Sequence, residues 1–251
     1  MKKSFLMFLG CCLALSMWAA DMPKQGFGLH VGWAQPILRL NEYNPLTSKD
    51  SLGNVIKLNG LKVGFSYDAS FIAGFGSTMG VNYTFAGAHT DWQQATSLVL
   101  YPRSRTVTRY HEIEVFVDWQ YKFEVAQETY LMLYTGPSIQ YGIAFNSRNE
   151  LQTENFDGTI TTTSTTYARM GKNEVDQPNQ NLKQFNVTWG IGAGFQYQRY
   201  FVRGGYEFGL LNPYANQKFV NPITGTQIDR YTRGRLDQWT IKVGIYLWYE
   251  D

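Results

Sequence analysis

Residues 111–123 read HEIEVFVDWQYKF. Side chains of an extended chain point alternately to its two faces, so Ile113, Val115, Val117, Trp119, Tyr121 and Phe123 share one face. Glu112, Glu114, Asp118, Gln120 and Lys122 share the other, with Phe116 the one exception. A helix would scatter both sets around its circumference, whereas a strand separates them. The stretch predicts a strand with one apolar and one charged face.

The same period runs outward from here in both directions. At 185–197, Phe185, Val187, Trp189, Ile191, Ala193, Phe195 and Tyr197 alternate with Asn186, Thr188, Gly190, Gly192, Gly194 and Gln196. It recurs at 26–38 (Phe27, Leu29, Val31, Trp33), 59–68 (Leu61, Val63, Phe65, Tyr67) and 78–89 (Met79, Val81, Tyr83, Phe85). Downstream it places Leu131, Leu133, Ile139, Tyr141, Ile143 and Phe145 on one face of 129–145. Segments 201–211 (Val202, Tyr206, Phe208, Leu210) and 238–249 (Trp239, Ile241, Val243, Ile245, Leu247, Tyr249) complete the series. Pro137 has no N–H to give a ladder, which predicts a bulge or bend in the fifth segment.

The connections decide what the strands build. Those at 69–77, 124–128 and 198–200 are short, whereas those at 39–58, 90–106, 146–184 and 212–237 are long. Short turns at one end and long loops at the other characterise antiparallel membrane barrels, with the short turns periplasmic. The fold expected is all-β: a transmembrane antiparallel up-and-down barrel of eight strands, or ten if one hairpin of a long connection inserts.

A soluble barrel with the same alternation would bury the apolar face and send the polar face to water. Residue type separates the two. Gly28, Gly32, Gly60, Gly64, Gly80, Gly136, Gly142, Gly190, Gly192, Gly194, Gly205, Gly209 and Gly244 all lie on the polar face. Glycine weakens a water-facing strand, but a narrow barrel interior needs small residues where backbones approach. Trp33, Tyr67, Trp119, Phe123, Phe145, Phe185, Tyr197, Trp239 and Tyr249 mark apolar-face segment ends, as the aromatic girdles of a membrane barrel do. The polar face is then interior, and its charges must pair, because an unpaired buried ion costs several kcal/mol. We expect Lys62, Lys122, Arg203 and Lys242 to neutralise Asp68, Glu112, Glu114, Asp118 and Glu207 there, as structural filling in preference to a conduction path.

Residues 1–20 have the layout of a secretory leader: Lys2 and Lys3, an apolar run from Phe5 to Trp18, then Ala19-Ala20 before Asp21. The run is shorter than the roughly 20 residues a helical span needs. Cleavage there would leave one barrel domain over 21–251 and would remove both cysteines, Cys11 and Cys12. The chain has 22 Lys+Arg against 20 Asp+Glu, and loss of Lys2 and Lys3 balances them. A balanced chain is no general nucleic-acid binder.

At this point the chain resembles the small bacterial outer-membrane β-barrel superfamily, in particular its OmpX-like and PorT-like members from Gram-negative envelopes. The resemblance spans everything after Asp21 and includes the aromatic-ended closing strand Trp239 to Tyr249, which two acids, Glu250 and Asp251, follow. It implies an outer-membrane location and insertion by barrel-assembly machinery. It does not imply one activity, since such barrels include adhesins, secretion components, lipid-modifying enzymes and narrow pores.

Function is therefore sought in the loops. Asp157-Gly158 is a hairpin signal inside 150–166, and Phe219-Val220 with Gln227-Ile228 frames a second hairpin. Projecting hairpins expose strand edges to a protein partner. Arg103, Arg105 and Arg109, and then Arg230, Arg233 and Arg235, fall at the outer rim, where guanidinium forks suit lipopolysaccharide phosphates. For a lipid-modifying enzyme the candidates are His89 and His111, with Asp91, Ser97 and Ser104, and no motif ties them together. His30 should point inward. No His or Cys spacing marks a metal site, and no cofactor is expected. The sequence reading is a non-enzymatic barrel anchor with external loops for binding, adhesion or shielding, in some settings within an envelope secretion complex. A narrow pore is second and a lipid A-modifying enzyme third.

Overall fold

The structure, a computed structural model, describes residues 25–44, 49–72, 74–94, 103–155, 157–169, 182–213, 217–220, 227–230 and 232–250. The leader expected at 1–20, with Cys11 and Cys12, lies outside the described residues, as does Ser97.

The ring strands are β1 (Gln25–Asn44), β2 (Asn59–Ile72), β3 (Phe75–His89), β4 (Arg103–Ala126), β5 (Thr129–Glu154), β6 (Phe185–Tyr197), β7 (Tyr200–Gly209) and β8 (Thr232–Glu250). Each pairs antiparallel with its neighbour in sequence. β8 then pairs with β1, Leu29 opposite Ile245 and Trp33 opposite Ile241, which closes a ring of 8 strands. Closure leaves the ring without an edge to aggregate.

Exposure settles which face is which. On β4, Ile113, Val115 and Trp119 are 40%, 50% and 44% exposed, while Glu112 and Glu114 are 0% and 1%. Apolar side chains line the outside and charged ones the inside, the inverse of a water-soluble barrel and the arrangement lipid requires. Phe116 is the interior exception expected from the sequence. It fits because Gly80 faces it, and a Cβ there would come within 2.9 Å of its ring. Gly192 makes room for Tyr134 in the same way, and Gly244 for Phe201. Glycine on one strand opposite an aromatic on another is how this narrow lumen fills.

The strands are longer than apolarity alone marks. β4 begins at Arg103, inside the connection expected at 90–106, and β5 runs to Glu154 rather than 145. Lys49–Lys57, expected inside a long loop, continues β2 past Leu58 and pairs with β1. Beyond the membrane both faces of a sheet meet water, so pairing persists where alternation vanishes. The turn expected at 69–77 shrinks for the same reason to the two residues between Ile72 and Phe75.

Local details differ from expectation. There is no bulge at Pro137, which sits opposite Trp189 in a regular ladder. The bulge lies further along β5, where His111 pairs with Ala144 but Glu112 with Gly142, so Ile143 is the extra residue. An inserted residue reverses parity beyond it. Phe145, expected on the lipid face, is consequently interior and 5% exposed, packed against Tyr110.

Above the ring, β5 continues into a hairpin with Ile160–Arg169, Glu154 pairing with Ile160. In its turn Gly158 is in the left-handed region at φ 79, and Asp157 accepts from the Thr159 amide at 2.9 Å. With the upper part of β4 and the short strand Gln93–Gln94 this makes a sheet projecting beyond the barrel. Gln217–Val220 pairs with Gln227–Arg230 as a separate ribbon. Neither hairpin enters the ring, which rules out the ten-stranded alternative.

Candidate functional site

The lumen holds two ionic groups. Toward the periplasmic turns, Asp68 of β2 receives Arg203 Nη2 at 3.1 Å and Lys122 Nζ at 3.3 Å, and it also accepts from the Tyr246 hydroxyl. Arg203 donates further to Thr78 at 3.0 Å and Gln120 at 2.9 Å, and Lys122 to Gln196 at 3.1 Å. A buried carboxylate with two cations and a hydroxyl around it has its lone pairs satisfied, the condition under which burying charge is tolerable.

Nearer the outer end, Lys62 is 0% exposed and spends its three protons on Glu114 at 2.5 Å, Gln238 at 2.6 Å and Glu207 at 3.2 Å. Glu114 also accepts from Asn82, which bonds His30 at 2.6 Å. Glu112 does not touch Lys62. It accepts from the Tyr110 hydroxyl at 2.5 Å and from Gln238 at 2.9 Å. Lys242 and Asp118 lie between the two groups, facing a cavity of about 20 Å³, with the Lys242 ammonium 4.8 Å over the Phe116 ring. That space suits one or two waters.

The outer mouth is capped by an apolar layer. Leu38, Leu58, Ala86, Tyr110, Phe145 and Leu236 turn inward at the top of the ring, and Leu182, arriving from the β5–β6 connection, packs among them at 5% exposure. Flanking backbone bonds, Gly142 N–H to Gln184 and Lys183 N–H to Pro213, fix that segment. Polar and charged side chains thus fill the lower lumen, and apolar ones the upper.

The outer rim rearranges the arginines singled out from the sequence. Arg105 is committed to Glu150 at 2.7 Å and stacks 4.5 Å from the centre of the Trp92 ring, and Arg148 bonds the other Glu150 oxygen at 2.7 Å. The hydrogen bond from Arg105, then the charges of both arginines, hold the Glu150 carboxyl below its ordinary range. Arg103 and Arg109 are exposed on the same outward face. The side chains of Arg230 and Arg233 lie outside the described residues. Arg235 lies on the opposite side of the ring, bonded through Nε to Asp237 at 2.7 Å. Asp237 and its second partner, Arg39, escaped the sequence reading. The available signal was an acid two residues before Trp239 and two after Arg235, at an outward position.

Among the described residues, the enzyme candidates are not bonded to one another. His111 bonds the Tyr83 hydroxyl at 2.7 Å and packs against Phe85, the ring centres 4.8 Å apart and the planes tilted by 50°. No hydrogen bond links His89 or His111 to Asp91 or Ser104 among the described residues. Nor does any group of three His, Cys, Asp or Glu among them form a metal site.

Among solved structures, the chain is similar to Ail, the attachment invasion locus protein of Yersinia pestis, at 12% identity over 90% of this chain and 100% of that one, with a TM-score of 0.38. Neisserial surface protein A shares 12% identity over 86% and 96%, with a TM-score of 0.37. The N-terminal barrel domain of Pseudomonas aeruginosa OprF shares 10% over 85% and 97%, at 0.24. No curated protein sequence matches the chain. Residues 27–214 match the family described as outer membrane protein beta-barrel domain. With three-quarters of the chain inside that match, and with a closed ring that is apolar without and charged within, the chain belongs to this outer-membrane β-barrel family.

Proposed function

We propose that the protein is a non-enzymatic outer-membrane anchor whose projecting sheet presents a binding edge to a protein partner outside the cell or in an envelope assembly. One observation carries this reading. Ile160–Arg169 pairs with β5 along one side, and among the described residues no strand pairs along its other side. Residues 160–165, Ile-Thr-Thr-Thr-Ser-Thr, are all exposed and β-branched but for one serine. Such residues hold an extended backbone, and an open edge offers N–H and C=O groups for strand addition.

Strand edges are normally blunted by lysine, proline or a covering loop. Residues 160–165 contain neither lysine nor proline. The outer-rim arginines add a second contact surface in this reading, directed at lipopolysaccharide phosphates.

A photo-crosslinking residue at Thr163, introduced in cells producing the protein, tests the edge. The expected result is a covalent adduct with a second protein, absent when the same residue replaces lipid-facing Val243. Absence of an adduct at Thr161, Thr163 and Thr165 alike would refute the edge as the binding surface.

A further inference from the structure

Arg39 and Arg235 stand directly opposite each other on β1 and β8. Like charges paired across strands are destabilising unless something holds them. Here Asp237 does so. Its side chain is 0% exposed, yet it lies on the outward parity of β8, two residues from lipid-facing Trp239. Oδ2 accepts from Arg39 Nε at 2.9 Å and from the Tyr206 hydroxyl at 2.7 Å. Oδ1 accepts from Arg235 Nε at 2.7 Å and from the Gly209 amide at 3.0 Å. Four donors on two oxygens fix the carboxylate, and the carboxylate fixes both guanidinium planes.

Both side chains stay partly open. Each arginine gives its Nε–H to Asp237, and Arg39 also bonds Tyr206, while the two side chains remain 46% and 45% exposed. Exposed Lys57 lies in register with Ile37 and so with Asp237, which makes the local charge positive even after the carboxylate is counted. Directly membrane-ward come Trp239, Trp33, Leu61 and Ile241, which are 49%, 39%, 52% and 53% exposed. The cations therefore stand where acyl chains give way to headgroups. Two pre-oriented guanidinium forks suit the oxygens of a phosphate.

We propose that Arg39 and Arg235, braced by Asp237, form a binding site for the phosphate of an outer-leaflet lipid headgroup. The site rests on the reading that rim arginines meet phosphorylated lipid, and it names which of them are built for it. Contact with the acyl belt commits the site to a lipid-borne phosphate over a free anion. Pre-orientation also separates a built site from a diffuse positive surface, because the two respond oppositely to loss of Asp237.

The test is titration of the refolded protein, in zwitterionic detergent, with bisphosphorylated lipid A and with the same lipid dephosphorylated. Tryptophan fluorescence and native mass spectrometry report binding. We expect the dephosphorylated lipid to bind at least about tenfold more weakly, and Arg39→Gln and Arg235→Gln each to lose about tenfold. Arg235→Lys, which keeps the charge but not the Nε bond, should lose affinity as well. Asp237→Asn should also weaken binding although it removes a negative charge, and Arg235→Lys keeps the test decisive if that variant folds poorly. Tighter binding by Asp237→Asn, or unchanged binding by both glutamine variants, would overturn the site. Displacement of the lipid by millimolar inorganic phosphate would overturn its commitment to lipid. If the wild-type protein ignored the lipid phosphates, the broader reading of the rim arginines would fall too; if affinity followed Arg103, Arg105 and Arg109 instead, this site alone would fall.

Discussion

Replacing Lys62 by methionine keeps most of the apolar stem of the side chain and deletes the ammonium with its charge. The ammonium lies 2.5 Å from Glu114 and 3.2 Å from Glu207, and its third bond goes to neutral Gln238. At an effective dielectric of about 20, these separations correspond to roughly 5 to 7 kcal/mol of gross attraction per pair, most of it offset by the desolvation of the lysine. Removal of the lysine abolishes both terms and leaves two carboxylates, with Glu112 nearby, without their shared cation. Breaking a buried pair in this way costs about 3 to 5 kcal/mol. Glu207→Gln is the informative comparison, since Lys62 keeps Glu114 and Gln238, and the amide oxygen of the substituted side chain can still accept. Its expected cost is below about 1 kcal/mol. Urea unfolding of the refolded protein in lipid vesicles, followed by tryptophan fluorescence, measures both. Lys62→Met and Glu207→Gln changing stability equally, or Lys62→Met leaving it unchanged, would refute the idea that this cation organises the upper lumen.

Two further predictions concern the lipid face and the outer sheet. Between Trp239 and Leu247 the exposed residues of β8 span roughly 20 Å along the membrane normal, taking ~3.4 Å per residue and a tilt of about 40°. That puts Val243 near the midplane, so Val243→Arg should cost ~2 to 4 kcal/mol in vesicle unfolding and Ile241→Arg less, whereas equal small costs would mean that this face does not meet lipid. Glu150 is held below its ordinary range by Arg105 and Arg148. A carboxyl so lowered contributes stability above its unfolded value and loses it as pH falls through the lowered one. Amide exchange over 146–154 should therefore rise, relative to the ring, below about pH 4, and Glu150→Gln should flatten that response.

How much of this was legible in the sequence depends on where each residue sits relative to the membrane. Within the lipid, one face of each strand is apolar and the other is mainly polar or glycine, so residues 111–123 and 185–197 disclosed strand, parity and orientation at once. Beyond it, Arg103–Arg109 and Asn146–Gln152 pair as regularly, but with water on both sides nothing in their polarity records the fact. The bulge at Ile143 was hidden for another reason. Apolar residues continue through it, so the parity reversal that turns Phe145 inward leaves no gap in the pattern. Membership of the inner charged set could be read from parity, whereas its division around Lys62 and around Asp68 depends on interstrand stagger that no single strand encodes. Arg39 and Asp237 are 198 residues apart and meet only because the last strand closes on the first.

In the reading proposed above the barrel anchors and does not conduct, its lumen filled by ionic groups below and by Leu38, Leu58, Tyr110, Phe145, Leu182 and Leu236 above. Single-channel recording of the refolded protein in a planar bilayer, with Glu114→Gln alongside, tests it most directly. A folded, inserted and electrically silent barrel is expected in both cases. Discrete openings in the wild-type protein, with an amplitude altered by Glu114→Gln, would contradict it and make the internal charges the lining of a pore.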